Sequence, residues 1–268
     1  MGGAHRKETP MERIRERRAS GLSRNMLRAW GMVFMALGVV GRGIFQNALL
    51  GLHGMKSQQI LAILNSAPEM MTFTTIALVM QILETCAVPI FAFLLVDGFT
   101  HTSNFKAYLI RVAGVALISE LPYNLVVSGK LFDLSSRNPV FALALGLVML
   151  FLMNMYPGKS AKNVLIKIIV AIAALIWAGM LRIDNGGCIV FIILALGIVR
   201  GKPSLRSLFG ATAAISCSLV SPFYLASPMS FLAIHFYNGE KGEENRMVNY
   251  LAYPVILLVV GIISTFVL

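Results

Sequence analysis

From Leu27 to the end of the chain, long apolar runs alternate with short breaks rich in polar residues, glycine and proline. A hydrocarbon core of about 30 Å takes roughly 20 apolar residues in helical form, and these runs approach that length again and again. The pattern predicts helices at about 27–50, 70–96, 106–127, 139–156, 163–181, 187–199, 204–220, 222–237 and 247–267. Ser221-Pro222 and Ser227-Pro228 leave the seventh and eighth open to another reading, a single longer segment broken on the way. The expected fold is all-α: a polytopic membrane helical bundle of about nine transmembrane helices, with eight as the alternative. Between the first two helices, Ile60, Leu61 and Leu64 within 55–65 predict a short amphipathic helix along the outer surface.

Composition sharpens this picture. Of 268 residues, 57% are hydrophobic and 13% charged, and a soluble fold could not hide that much apolar surface. The net charge of +11 raises the question of nucleic acid, but eight of the 23 basic residues fall within the first 28 positions, beside the first apolar run. That placement reads as a juxtamembrane anchor on anionic lipid, with no role for nucleic acid. Residues 1–26 are therefore expected to be a basic, disordered cytoplasmic tail, and 27–268 a single transmembrane domain.

The first apolar run is too long for a cleaved signal and should remain as a helix. With the amino terminus in the cytoplasm, the inner loops receive Lys106, Arg111, Lys159, Lys162, Arg200, Lys202, Arg206, Lys241 and Arg246. The outer loops keep only Lys56, Lys130, Arg137 and Arg182. Cys86, Cys188 and Cys217 are far apart in sequence and form no CxxC pair, so neither a disulfide framework nor a metal site is expected.

Charges inside apolar helices are expensive and mark candidate chemistry. Arg42, Glu84 and Glu120 each fall 13 or 14 residues from an inner-face charge, Arg28, Asp97 and Lys106, which puts all three about 20 Å above that face at 1.5 Å per residue. Each has a polar neighbour on its own helical face: Gln46 four after Arg42, Gln81 three before Glu84, Asn124 four after Glu120. One reading is a structural staple, in which Arg42 neutralises a carboxylate and the amides satisfy the rest. The other is a polar cavity opening toward the outer half of the membrane, with Glu84 or Glu120 as general base. The surplus of carboxylate over arginine also admits transport of a small cationic solute. Gly38, Gly41 and Gly43 read as sites of close helix packing, since no strand precedes them to make a nucleotide loop.

The stretch PIFAFLLVDGFTHTSNFKAYLIRVAGVALISELPYNLVV, residues 89–127, resembles the signature region of the TraX family of membrane proteins. Asn138 with Pro139-Val140-Phe141, Asp184-Asn185-Gly186, and HFYNGEKGEENRMVNYLAYPVILL at 235–258 resemble further motifs of that family. The family includes a pilin amino-terminal acetyltransferase and is related to membrane acyltransferases. The resemblance implies acyl transfer in a bacterial cytoplasmic membrane, from acetyl-CoA or another acyl-CoA to an amine or hydroxyl on a membrane-associated or exported acceptor. Metal is not implied, and membrane lipids are the expected surroundings. Asn138 and Asp184 then join Gln46, Gln81 and Asn124 as candidate substrate-binding residues, beside Arg42, Glu84 and Glu120 as candidate catalytic ones.

Four positions depart from the family pattern. Its Asp-His pair on the first helix aligns with Gly38 and Val39, an arginine before the Phe-Pro motif with Thr85, and a histidine after Tyr-Pro with Ile256. Acyl transfer needs a base and an oxyanion partner. Either the base has moved to Glu84 or Glu120 with Arg42 beside it, or the protein is a catalytically inactive relative acting as a membrane scaffold or lipid-binding partner.

Overall fold

The computed structural model of the chain describes residues 21–53, 71–242 and 246–267. The basic tail as far as residue 20 and the expected amphipathic segment at 55–65 lie outside these residues. Within them the protein is helical, with two isolated bridges and no strand.

The first helix, α1 (Arg24–Val40), begins three residues ahead of the expected start, because the Ser23 hydroxyl caps it by accepting the Met26 amide at 3.3 Å. It runs on without a break into π-helical turns at Gly41–Leu49 that carry Arg42. Glycines let its neighbours approach: a Cβ on Gly31 would meet Ile90 and Phe91, and one on Gly41 would meet Met80 at 2.8 Å. This is the close packing expected of small residues between membrane helices.

The second apolar run divides into α2 (Met71–Glu84) and α3 (Ala87–His101). Pro89 has no amide to offer the Thr85 carbonyl and its ring crowds that group, so the ladder fails at Thr85-Cys86 and tightens into turns from Thr85 N–H to Ile82 and Cys86 N–H to Leu83. Glu84 is thereby left at a helix break. Next come α4 (Phe105–Ser128), capped by Asn104 and ended by Gly129 at φ +68°, α5 (Val140–Asn154), α6 (Ala161–Met180) and α7 (Gly186–Ile198).

On α6 the buried residues are Ala171, Ala174 and Ala178, whereas Ile168, Ile169, Ile172, Ile176 and Trp177 are exposed. Small residues inside and large apolar ones outside invert the arrangement of a soluble helix and suit hydrocarbon surroundings. Five helical stretches are long and apolar enough to cross a membrane: Arg24–Leu49, Met71–His101, Phe105–Ser128, Ala161–Met180 and Val248–Val267. Val140–Asn154 and Gly186–Ile198 are apolar but shorter.

The expected seventh and eighth helices take a different form. The chain forms α8 (Pro203–Ser216), turns through Cys217–Leu219, and returns as a 3-10 run at Pro222–Met229 followed by α9 (Ser230–His235). Pro222 and Pro228 withhold amide donors from any regular α-ladder here. The two limbs are antiparallel, since Ser227 donates to the Ala214 carbonyl at 3.3 Å and Arg206 to that of Ile234 at 2.9 Å. Pro203 and His235 therefore lie on the same side of the bundle. The last helix, α10 (Arg246–Ile262), continues through π-turns to Val267 and packs along α4 and α1.

Element ends gather on two sides. On one, Arg24 pairs with Asp97, Leu22 N–H donates to Phe236, and Arg200 donates to Asn154. On the other, Asn47 donates to the Val126 carbonyl and Arg137 N–H to Arg182. One apolar core, from α3, α5, α7 and the α8–α9 hairpin, joins these sides; a smaller one is built around Val39, Tyr123, Tyr253 and Leu257.

Candidate functional site

Arg42 stands between two carboxylates. Its Nη1 donates to Asp184 Oδ2 at 2.9 Å, while its Nη2 is 3.8 Å from Glu84 Oε2, too long for a hydrogen bond. The side chains of Arg42, Glu84 and Asp184 are 19%, 24% and 28% exposed. Among the described residues Glu84 has this one ion pair and no hydrogen bond, so its oxygens keep most of their accepting capacity.

The carboxylate of Glu84 lies against Gly38. A Cβ built on Gly38 would come within 2.1 Å of Glu84 Oε2 and 2.3 Å of its Cβ and Cδ. Glu84 thus fills the space that any side chain at position 38 would need.

One turn along, the amides found by spacing meet across the same helix pair: Gln81 Nε2 donates to Gln46 Oε1 at 2.9 Å. Gln46 Nε2 reaches the Leu52 carbonyl at 3.5 Å. The neighbouring Asn47 was not among the sequence candidates, yet it is buried and donates to the Val126 carbonyl at 2.5 Å, tying α1 to the end of α4. The signal was available, because an asparagine within an apolar helix has to find a partner.

Glu120 belongs to another site, which corrects the expectation that it shares the Arg42 cluster. Its Oε1 accepts from Arg137 Nη1 at 2.9 Å, and its Oε2 from the Asn138 side chain at 2.7 Å and the Asn138 backbone at 3.2 Å. Asn138, fully buried, donates also to the Ala116 carbonyl. Asn124, expected to pair with Glu120, instead donates to the Leu131 carbonyl at 3.3 Å. Equal depth along two helices did not bring Glu120 to Arg42, because an arginine in the following loop folds back over it first. Glu120, Asn124 and Asn138 together hold the 129–139 loop.

That loop positions Asp184. Arg137 N–H donates to the Arg182 carbonyl and Asp184 N–H to that of Arg137, both at 2.9 Å. Arg182 and Asn185 turn the chain with φ of 53° and 54°, sparsely populated for residues with a Cβ and best tolerated by asparagine. The turn carries Asp184 across to Arg42, 142 residues away in sequence.

The other family positions have become apolar or structural. Val39 is buried in the smaller core and Ile256 packs against that same cluster. Thr85 donates to the Ile82 carbonyl at 2.7 Å and to Phe223 at 3.1 Å, using the helix break to hold the returning limb of the hairpin. The histidines His101 and His235 lie at helix ends, and His53 lies beside Gly129.

Residues 23–264 match the family model described as TraX protein. The probable fimbrial assembly protein FimC, serogroup H1, of Dichelobacter nodosus is 26% identical over 188 residues, which cover 62% of this chain and 75% of that protein. No solved structure matches. With the family match spanning nearly all the described helices, the chain belongs to the TraX family of membrane proteins.

Proposed function

We propose that the protein transfers an acyl group from an acyl-CoA to an amine or hydroxyl of a membrane-associated or exported acceptor, with Glu84 as general base and Arg42 as oxyanion partner. The observation that carries this reading is the position of the Glu84 carboxylate, in the space left by Gly38 where the family pattern places an acidic residue. A carboxylate lost from α1 is replaced from α2 at nearly the same point.

Glu84 takes the proton from the acceptor as its nitrogen or oxygen attacks the thioester carbonyl. Arg42 faces the negative charge that develops on the carbonyl oxygen, and Asp184 holds the guanidinium in place. Collapse of the intermediate breaks the carbon–sulfur bond, and Glu84 returns the proton to the departing thiolate. Gln46 and Gln81, buried and bonded to each other, brace α1 against α2 one turn from the acceptor, while Asn124 and Asn138 act by fixing the loop that presents Asp184.

The setting is a bacterial cytoplasmic membrane with the amino terminus inside and nine traverses, the α8–α9 hairpin supplying two. Arg24, Lys106, Lys162, Arg200, Lys202 and Lys241 at one end of the bundle support that orientation. The fimbrial assembly name of the similar protein points to an acceptor within such an assembly. The test is acylation of fimbrial or pilus subunits in membranes carrying Glu84→Gln. Loss of acylation with normal insertion supports the reading; full activity ends it.

One observation favours a second reading, a non-catalytic membrane partner in fimbrial assembly. Val39 and Ile256 are packed together in an apolar cluster where the family pattern has histidines. Normal assembly in the Glu84→Gln strain, with no acylated product in the wild type either, would establish that alternative.

A further inference from the structure

The Arg42 cluster leaves the opposite side of the bundle unexplained. There an open cavity of about 880 Å³ lies between the last turns of α3 and α7, the start of α8 and the Tyr237–Gly239 segment. Arg200, Lys202 and Arg206 line it, and among the described residues none is within ion-pair distance of a carboxylate, although the charge of Asp97 in the same wall is felt by Arg206. Asp97, the acid in the wall, is already held by Arg24 at 2.5 Å, by the Tyr237 hydroxyl at 3.2 Å and by His101 at 3.4 Å.

The two arginines are held by neutral groups. Arg206 lies 4.7 Å from the Phe93 ring centroid and donates to the Ile234 carbonyl, leaving its Nε buried without a hydrogen-bond partner. Arg200 lies over Phe99 at 5.5 Å and donates to Asn154. Lys202 is exposed at the head of the 14-residue α8, whose amino terminus has no side-chain cap and Pro203 in its first turn. Cations at one opening repel each other, and the positive end of the helix dipole adds to the field. A partner of opposite charge removes both costs, and Arg together with Lys at a helix start suits phosphate oxygens.

We propose that this cavity binds a phosphate-bearing anion held by Arg200, Lys202 and Arg206 at the start of α8. The same chemistry fits a soluble phosphate or pyrophosphate compound and the head group of an anionic lipid. The site goes beyond the acyl-transfer reading and does not depend on it.

The full chain, purified in neutral detergent, is titrated with inorganic pyrophosphate while its thermal midpoint is followed. In parallel it is placed in nanodiscs of equal parts phosphatidylcholine and phosphatidylglycerol, and the lipid retained on re-extraction is counted by mass spectrometry. A saturable rise with pyrophosphate identifies a soluble source; selective retention of phosphatidylglycerol identifies a head group. Either should weaken by about tenfold or more in Arg206→Gln, which removes a charge-assisted contact. Lys202→Gln, at an exposed position with no packing role, should weaken it in the same direction and decides the matter if Arg206→Gln unfolds. Glu84→Gln, at the far end of the bundle, should bind like wild type, so failure of the acyl-transfer reading leaves this result standing. Absence of binding to both probes, or unchanged binding in a folded Lys202→Gln protein, overturns the proposal.

Discussion

Two carboxylates lie at similar depth in neighbouring parts of the bundle, and their surroundings differ in kind. Glu120 accepts three hydrogen bonds, one of them from Arg137, and none of its partners has another acid to serve. Glu84 has one arginine at 3.8 Å, and that arginine is already committed to Asp184 at 2.9 Å. A saturated carboxylate is bound to the fold, because freeing it strands its donors. An unsaturated one can take a proton from a visitor at little structural cost. On the proposed reading, the comparison gives Glu120 a structural role and leaves Glu84 free for chemistry.

The sharpest way to break this assignment is to neutralise each carboxylate in turn. Glu84→Gln should lower acyl transfer by about 100- to 10,000-fold, the usual loss when a general base is removed, while the thermal midpoint hardly moves. Acylation would be measured on isolated membranes with labelled acyl-CoA. If Glu120→Gln gave the larger catalytic loss at unchanged stability, the two roles would have to be exchanged.

The matching change in stability should come from Glu120→Ala. It strands the buried Asn138 amide and leaves Arg137 without its carboxylate. The expected loss is about 2 kcal/mol, kept modest because Arg137 is 35% exposed and water can replace part of the pairing. Thermal unfolding in detergent measures it, and Arg137→Gln should cost less than Glu120→Ala.

What the sequence made legible follows from the same contrast. Helical spacing placed Arg42, Gln46, Gln81 and Glu84 at matching depths on adjacent helices, and these four do meet in pairs. Adjacent antiparallel helices joined in sequence are the case where depth alone determines neighbours. The Glu120 pairing was not legible, since it depends on how the 129–139 loop folds back. Asp184 was found through its motif, but its contact with Arg42 rests on left-handed turns at Arg182 and Asn185 that hydrophobic periodicity does not register. The 3-10 return limb escaped for a similar reason: Pro222 and Pro228 were visible as breakers, while the direction the chain takes after them is decided by packing against α8.

The position of the Glu84 carboxylate gives a finer test. Gly38→Ala forces a Cβ into contact with Glu84, which should cost about 1 to 3 kcal/mol as overpacking and displace the carboxylate from Arg42. Combining Glu84→Ala with Gly38→Asp empties that space and returns a carboxylate to it from α1. Partial recovery of acylation over Glu84→Ala alone would show that the location of the charge matters more than the helix that supplies it. An inert double variant that is stably folded would confine the base to α2.

The smallest effect probes whether the unsaturated site is nevertheless held firmly. Asn47 lies five residues beyond Arg42 on the same π-helical turns and clamps them to the end of α4 through the Val126 carbonyl. Asn47→Ala removes that hydrogen bond and should cost about 1 kcal/mol of stability. Because the π-turns set the direction of Arg42, the same substitution should also reduce acyl transfer, by less than Glu84→Gln does. A loss confined to stability, with full turnover at temperatures where the variant is folded, would mean that Asp184 alone suffices to aim the guanidinium. A loss in turnover well below the unfolding temperature would mean that the clamp on α4 is part of how Arg42 is kept facing Glu84.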